Sequence, residues 1–191
     1  MRITAEQASE NRRRVVEAAS RLFREHGFDG VGVADIMKAA GFTHGGFYNH
    51  FKSKEALAAA ALEHAFAEMA DQRARSGGFE AMTADYLSDL HRRARGRGCP
   101  AAALASDAPR QPAAVREAFA RGTEAMVVAF AQALPASIED SDRRAEAIEL
   151  LCRMTGALAL ARAVPEGDPL AAELLAVARA ACAAMGEADV A

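Results

Sequence analysis

Two short helical patterns, joined by a tight turn and followed at once by a long alanine-rich pattern, place the strongest constraint on the fold. Apolar residues three and four positions apart predict a helix over 33–40 that ends at Gly41. A second short helix is predicted after Thr43, which is expected to be its N-cap, and Ser53 is predicted to cap the long helix. Two short helices joined by such a turn form a helix-turn-helix. The chain is therefore predicted to be all-α, with a helix-turn-helix near its start.

The other patterns along the chain are also helical. The spacing predicts a first amphipathic helix over 9–26 and, after the breaker at 76–78, helices over 79–93, from Cys99-Pro100, and over 113–134, 142–164 and 169–185. Aromatic residues make up 6% of the 191 residues while alanine dominates, which favours closely packed helices. On the 142–164 helix the pattern predicts one broad apolar face: Ile148, Leu151, Cys152, Thr155, Leu158 and Ala159.

Charge is distributed unevenly along the chain. Residues 1–54 hold nine basic against six acidic residues, a net charge of +3, although the whole chain carries −3. The remainder therefore carries −6. A basic segment is where a polyanion would bind.

Several classes of protein are not supported by the sequence. No apolar run is long enough to span a membrane, and residues 1–11 do not resemble a signal peptide, so we expect a soluble, cytoplasmic protein. The three cysteines are far apart and suggest neither a metal site nor a disulfide framework. No metal-protease motif, phosphate-binding loop or Ser/His/Asp arrangement is present. We therefore predict no enzyme activity, no catalytic residue, no metal and no cofactor.

The segments 31–41, VGVADIMKAAG, and 42–55, FTHGGFYNHFKSKE, resemble the tetracycline-repressor (TetR) family of bacterial regulators. The resemblance covers about residues 11–62 and implies a DNA-binding domain at 1–54 and an effector-binding and dimerisation domain at 55–191. The chain departs from the family pattern in two places. Val31-Gly32 stand where threonine or serine is usual, and Gly46 replaces a commoner small side chain.

The resemblance implies a recognition helix that contacts an operator in double-stranded DNA. His44 and Asn49 are the candidates for base edges, because imidazole and amide groups match base donors and acceptors. Gly45 and Gly46 would allow close approach of the backbone. The candidates for phosphate contacts carry hydroxyl, imidazole, ammonium or guanidinium donors: Thr43, Tyr48, His50, Lys52, Lys54, Arg12 and Arg13. One such helix reads few base pairs, which predicts a homodimer on a palindromic site.

For the larger region, the resemblance implies that helices 142–164 and 169–185 pair with their copies in the homodimer. It also implies that the helical core binds a small apolar effector, which releases a repressor from its operator. Intramolecular core is the alternative for those two helices. Methionine and aromatic side chains adapt to varied apolar ligands, although the same pattern is also typical of ordinary core. The candidate pocket residues are Phe66, Met69, Met82, Tyr86, Leu104, Phe119, Met126, Phe130 and Met154, together with Cys99.

Cys99 suggests a second kind of signal. It precedes a helix start and lies close in sequence to Arg95 and Arg97, and both features raise the thiolate fraction of a cysteine. A redox- or electrophile-sensing repressor is therefore one alternative, and a structural helix cap is the other reading of Cys99. Cys152 and Cys182 lie on apolar faces and are predicted to be inert core residues. A third alternative is a small-molecule binding protein whose DNA binding is impaired by the altered Val31-Gly32 positions.

Overall fold

In a computed structural model the described residues, 4–187, contain helices and connecting turns and no strand. The α-helices are α1 Ala5–His26, α2 Val33–Ala39, α3 Lys54–Ala74, α4 Phe79–Tyr86, α5 Asp89–Arg93, α6 Pro100–Leu104, α7 Ala113–Ala133, α8 Arg143–Ala163 and α9 Pro169–Glu187. Short 3-10 helices occupy His44–Asn49, Arg95–Arg97 and Ala108–Arg110. The all-α prediction is confirmed.

The first helix begins earlier than the apolar spacing suggested. Thr4 caps it, accepting a hydrogen bond from the backbone of Gln7 while the Gln7 side chain accepts from the backbone of Thr4. This capping box satisfies two amide groups that the helix itself leaves free, so a polar first turn can extend α1 from residue 9 back to Ala5. At the other end Gly27 adopts φ 78°, and its N–H bonds to the carbonyl of Phe23 as predicted.

The predicted helix over 79–93 is wrong, because two helices occupy that range. α4 ends at Tyr86, and the Ser88 hydroxyl accepts a hydrogen bond from the His91 amide to start α5. The same hydroxyl donates to the carbonyl of Asp85 at 2.7 Å. A serine that caps both ends of the break stabilises a change of direction that a continuous helix would not allow.

α3 is the central element of the fold. It packs against α1 on one side and α7 on the other, α7 packs on α8, and α8 packs on α9. The core between these helices is apolar and includes Phe23, Leu62, Met126, Phe130 and Leu150, none more than 1% exposed. Because α3 packs on both α1 and α7, a displacement of α3 on its α7 side reaches α1 directly.

The buried face of α8 differs from the predicted one by about one residue of rotation. Ile148 is 41% exposed and Cys152 is exposed, while Ala147, Leu150 and Met154 are fully buried. Leu151 and Leu158 are buried as predicted. The prediction that Cys152 is a core residue is wrong, whereas Cys182 is buried as expected.

Candidate functional site

Two phenylalanines anchor the 3-10 helix His44–Asn49 to the rest of the protein. Phe47 and Phe51 are 1% and 5% exposed, and their rings stack with centroids 6.0 Å apart. Ile36 and Met37 of α2 are fully buried in the same core. The segment is therefore held rigidly by one face, which leaves the other face to solvent.

The side chains on that outer face are polar and available. Tyr48 is 72% exposed and its ring meets the Phe47 ring edge-on, with centroids 5.2 Å apart. His50 and Lys54 are half-buried. A Cβ added at Gly45 would meet no atom of the described residues within 4 Å, so internal packing does not require glycine there. The remaining exposed candidates are Thr43, His44, Asn49 and Lys52, and Gly46 is half-buried.

Thr43 does not cap this segment through its side chain, contrary to expectation. Because 3-10 geometry pairs each amide with the carbonyl three residues earlier, the Gly46 N–H donates to the backbone carbonyl of Thr43 at 3.1 Å. That amide is the one an N-cap hydroxyl would otherwise bind. Within residues 4–187 the Thr43 hydroxyl makes no capping bond, and the residue is exposed to solvent.

Three consecutive arginines of α1 have different surroundings. The Arg12 guanidinium lies 4.5 Å from the centre of the Phe51 ring. Arg13 forms ion pairs with Glu10 and Glu17, and the hydrogen bonds that it donates to the Glu10 carboxylate raise the pKa of Arg13 above its usual value. Arg13 is therefore less available to an external anion than Arg12.

Arg14, which the sequence did not single out, fastens the helix-turn-helix internally. Its Nη2 atom donates to the carbonyl of Ala40 at 2.8 Å, and its guanidinium lies 4.8 Å from the centre of the Phe42 ring. It therefore ties α1 to the turn between the two short helices.

A short loop between α5 and α6 packs against α1. Gly96 is buried against α1, where an added Cβ would overlap the side chains of Arg21 and Glu25. Arg24, only 6% exposed, donates to the carbonyl of Gly98 at 3.0 Å and to the carboxylate of Glu68 at 2.8 Å. Residues 94–98 are hereafter the α1 loop. Its close backbone contact means that movement of the loop must move α1 or break this packing.

His91 connects α5 to the end of the α1 loop. Its Nδ1 atom lies 2.7 Å from the carbonyl of Tyr86, and its Nε2 atom lies 2.9 Å from the backbone nitrogen of Cys99. A carbonyl only accepts and an amide only donates, so the imidazole is neutral with its proton on Nδ1. Burial lowers the pKa of His91 to about 4, and the nearby Arg162 and Arg24 act in the same direction.

Beside His91, a cleft of about 360 Å³ opens between α3, α4 and α5. We call it the Arg73 cleft. Its apolar lining includes Met69, Met82 and Leu90, and its polar lining includes Arg73 and His91. The volume suits a small organic molecule. Its other lining residues are Gln72, Ser76, Asp85, Tyr86, Ser88, Ala94 and Arg97.

A sequence model described as "Bacterial regulatory proteins, tetR family" matches residues 15–61. The HTH-type transcriptional repressor DhaR of Mycobacterium sp. (strain GP1) is 41% identical over 58 residues, which cover 30% of this chain and 29% of that protein. Residues 15–61, which contain the helix-turn-helix, thus carry the sequence pattern of the TetR family. The matches to curated relatives span less than half of each relative's length.

TetR-family structures match the fold over most of the chain. A TetR transcriptional regulator from Chloroflexus aurantiacus J-10-FL is 26% identical, has a TM-score of 0.70, and covers 94% of this chain and 95% of its own. The reduced form of E. coli NemR is 23% identical, with a TM-score of 0.69 over 88% of this chain and 95% of its own, which shows the shared fold.

The structure divides the ligand candidates into two groups. Met69, Met82 and Tyr86 line the Arg73 cleft. The others pack elsewhere in the bundle: Phe66, Cys99, Leu104, Phe119, Met126, Phe130 and Met154. Sequence reasoning missed Arg73 and His91. Arg73 follows Met69 by four positions and so continues the Phe66–Met69 stripe of α3, which is the signal that could have found it.

Cys99 is fully buried at the start of α6. Its neighbour Arg95 turns away and donates to the carbonyl of Arg162 at 2.8 Å. The Arg162 guanidinium in turn donates to the carbonyls of His91 and Arg92. An oxidant would therefore reach the thiol only after the packing around it opens.

The outer faces of α8 and α9 carry exposed apolar side chains. Leu160, Leu170 and Val177 are 57%, 44% and 65% exposed. They border a shallow depression that also includes Gly156 and Cys152. Clustered exposed apolar groups of this kind mark interaction surfaces.

Other site classes find no support in the described part of the chain. Residues 4–187 contain no cluster of three or more acidic, histidine or cysteine side chains able to hold a metal ion. None of the helices in that range is both long and apolar enough to cross a bilayer.

Proposed function

We propose that this chain is a DNA-binding transcriptional regulator, most simply a repressor, that binds a palindromic operator as a homodimer and is released by a small-molecule effector. The observation that carries the proposal is the exposed polar face of the 3-10 helix His44–Asn49, held rigidly by buried Phe47 and Phe51. A cytoplasmic location and a division of the chain near residue 54 remain predictions that accompany it.

On this proposal the exposed face contacts DNA in two ways. His44 and Asn49 reach base edges, while Thr43, Tyr48 and Lys52 bind phosphates on either side of the groove. The free hydroxyl of Thr43 and the 72% exposure of Tyr48 support those roles. His50, Lys54 and Arg12 would contact the flanking backbone. Arg13, already paired with Glu10 and Glu17, would contribute least.

The homodimer would form through the outer faces of α8 and α9. Support comes from the exposed apolar side chains there and from the small residues Gly156 and Ala157, which permit close approach of helices. An isologous contact of this kind places two identical domains about a twofold axis, as a palindromic site demands.

The effector would bind in the Arg73 cleft. The position of the cleft supports this assignment, because Arg97 lines the cleft and also lines a second surface depression, formed between α1 and α3. A ligand that prefers one position of the α1 loop would thereby favour one arrangement of the two DNA-binding domains.

Fluorescence anisotropy on DNA from upstream of the chain's own gene, at several salt concentrations, tests the proposal. We expect specific binding whose log affinity falls steeply with log salt concentration. Lys52→Gln should lower the slope of that plot by about one, because one phosphate contact is lost. Arg116→Gln, the same charge change at an exposed site on α7, should leave the slope unchanged. Equal effects of the two variants would contradict the assigned DNA surface.

The same assay separates the two alternatives. Loss of binding after thiol oxidation, prevented by Cys99→Ser, would favour the redox-sensing repressor. The second alternative is a small-molecule binding protein with impaired DNA binding. It would be favoured if the protein binds a ligand but shows no specific binding to any upstream fragment or to a selected pool of random duplexes.

A further inference from the structure

Arg73 is an incompletely satisfied cation at the inner end of the cleft. Its Nε and Nη1 atoms are buried and have no hydrogen-bond partner within residues 4–187. No carboxylate of that range forms a salt bridge with it, although Asp85 lines the exposed rim of the cleft. The guanidinium lies 5.6 Å from the centre of the Phe130 ring, an interaction that replaces only part of the lost hydration.

The surroundings add further positive charge rather than neutralise it. Arg24 has Glu68 as its partner, but Arg162 is 9% exposed and bonds only to backbone carbonyls, leaving its Nη1 atom without a partner among the described residues. Tyr86 supplies no negative charge, since burial raises its pKa well above 10.0. Burying cations without counter-ions costs free energy, which a bound anion would recover.

We infer that the Arg73 cleft binds an amphipathic carboxylate, whose charged group accepts hydrogen bonds from Arg73 and whose apolar body lies against Met69, Met82 and Leu90. The inference rests on the proposed function only in identifying this cleft as the effector site; the binding itself does not depend on DNA. A carboxylate accepts charge-assisted hydrogen bonds from a guanidinium, and Arg73 has N–H donors that no residue of the described range uses. A purely apolar effector would leave those donors unsatisfied.

The bound anion would also act on the α1 loop. Arg97 lines the cleft beside Arg73, and Gly96 next to it is packed on α1. A carboxylate that draws Arg97 toward itself would displace Gly96 from its packing on α1. A shift of His91 would also move the Cys99 amide that it binds, and with it the adjacent carbonyl of Gly98, which accepts a hydrogen bond from Arg24. The site thus has a direct physical connection to the first domain.

The test uses straight-chain carboxylates from butanoate to decanoate, together with benzoate, each paired with its neutral amide. Binding to the full-length protein is measured by isothermal titration calorimetry and by the rise in melting temperature. We expect at least one carboxylate to bind saturably and its amide to bind at least tenfold more weakly, since hydrogen bonds to charged groups stabilise by about 1.5–3 kcal/mol.

Arg73→Gln should weaken carboxylate binding by a similar factor and leave amide binding unchanged. Arg75→Gln, an identical change at an exposed residue of the same α3 end that does not line the cleft, is the matched control. Without ligand, Arg73→Gln should melt at the same or a higher temperature, because it removes a poorly paired buried charge. That result shows that lost binding does not come from misfolding.

Two results would overturn the inference: equal binding of a carboxylate and its amide, or no saturable binding of any carboxylate in the series. Both are independent of the DNA measurements. A protein that binds an upstream operator but no carboxylate would refute the ligand class alone, whereas one that binds carboxylate but no DNA would refute the regulator and leave the anion site intact.

Discussion

The Nε2 atom of His91 accepts a hydrogen bond from the backbone amide of Cys99, with a nitrogen–nitrogen distance of 2.9 Å. Its other ring nitrogen bonds to the carbonyl of Tyr86. The imidazole thereby joins the α4–α5 corner to the start of α6, and it performs this role only while Nε2 carries no proton. Protonation would turn an acceptor into a donor facing another donor.

Stability should consequently fall on acidification through His91. The unfolded residue takes up a proton near pH 6.5 and the folded one only near pH 4, so between these values the unfolded state binds more protons. The contribution is fully present above pH 6.5 and lost toward pH 4, amounting to about 3 kcal/mol. Urea denaturation across this pH range should show a shallower decline for His91→Gln than for wild type. His26→Gln, whose side chain is 57% exposed, should leave the decline unchanged.

Gly45→Ala should weaken DNA binding without altering the fold. The added methyl group meets no atom of residues 4–187 within 4 Å, and the φ of Gly45 is not positive, so the melting temperature should not change. If the backbone approaches DNA closely, the methyl costs about 1–3 kcal/mol, which is a loss of affinity of roughly 5-fold to 150-fold. Anisotropy titration of Gly45→Ala is compared with that of Gly77→Ala, in the loop before α4. Unchanged affinity for both would show that Gly45 does not face the groove.

The fold was largely predictable because most helices carry their own spacing and caps. Gly27 and Ser53 ended and started helices where expected. The face of α8 was assigned wrongly for a physical reason: apolar residues lie both on its intramolecular side, such as Met154, and on its outer side, such as Leu160. A helix that is apolar on two sides gives no single periodic signal.

The exposed segment proposed to bind DNA could be predicted from the sequence, whereas the Arg73 cleft could not. The exposed polar side chains between Thr43 and Lys52 belong to one short segment of the sequence, so a local motif was enough to propose them. The Arg73 cleft joins residues of α3, α4, α5 and the α1 loop. An apolar stripe on a helix can line a cavity or fill the core. The outcome depends on how the helices pack together, and no local sequence pattern contains that information.

Thiol labelling should follow burial rather than the sequence expectation for Cys99. In a brief pulse of maleimide, Cys99 and Cys182, both fully buried, should react slowly, and burial also raises the pKa of Cys182. Cys152 is exposed on the protomer and should react first in dilute protein, then become protected as rising concentration favours the dimer. Peptide mass spectrometry gives the order, and rapid native labelling of Cys99 would support the redox-sensing alternative.

Gly122→Ala should destabilise the protein, because α7 and α3 approach closely there. An added Cβ would overlap the ring of Phe66, which itself packs edge-on against Phe119 with centroids 5.9 Å apart. Overpacking should outweigh the gain in helix propensity and leave a net loss of about 1–2 kcal/mol. Chemical denaturation measures the loss, and Phe66→Leu in the same chain should recover part of it. Additive effects of the two substitutions would contradict a direct steric contact.

Gly156→Ala distinguishes a free α8 surface from a dimer interface. Within residues 4–187 an added Cβ meets nothing within 4 Å, so in a lone protomer alanine should stabilise α8 by up to about 1 kcal/mol. If two copies pack through this face, the methyl should instead separate them and weaken the dimer roughly tenfold. Sedimentation equilibrium measures the dissociation constant. Val177→Gln should weaken the dimer as well, whereas Val128→Gln, on α7 and 45% exposed, should not. A more stable Gly156→Ala protein with unchanged self-association would exclude close helix contact at this position.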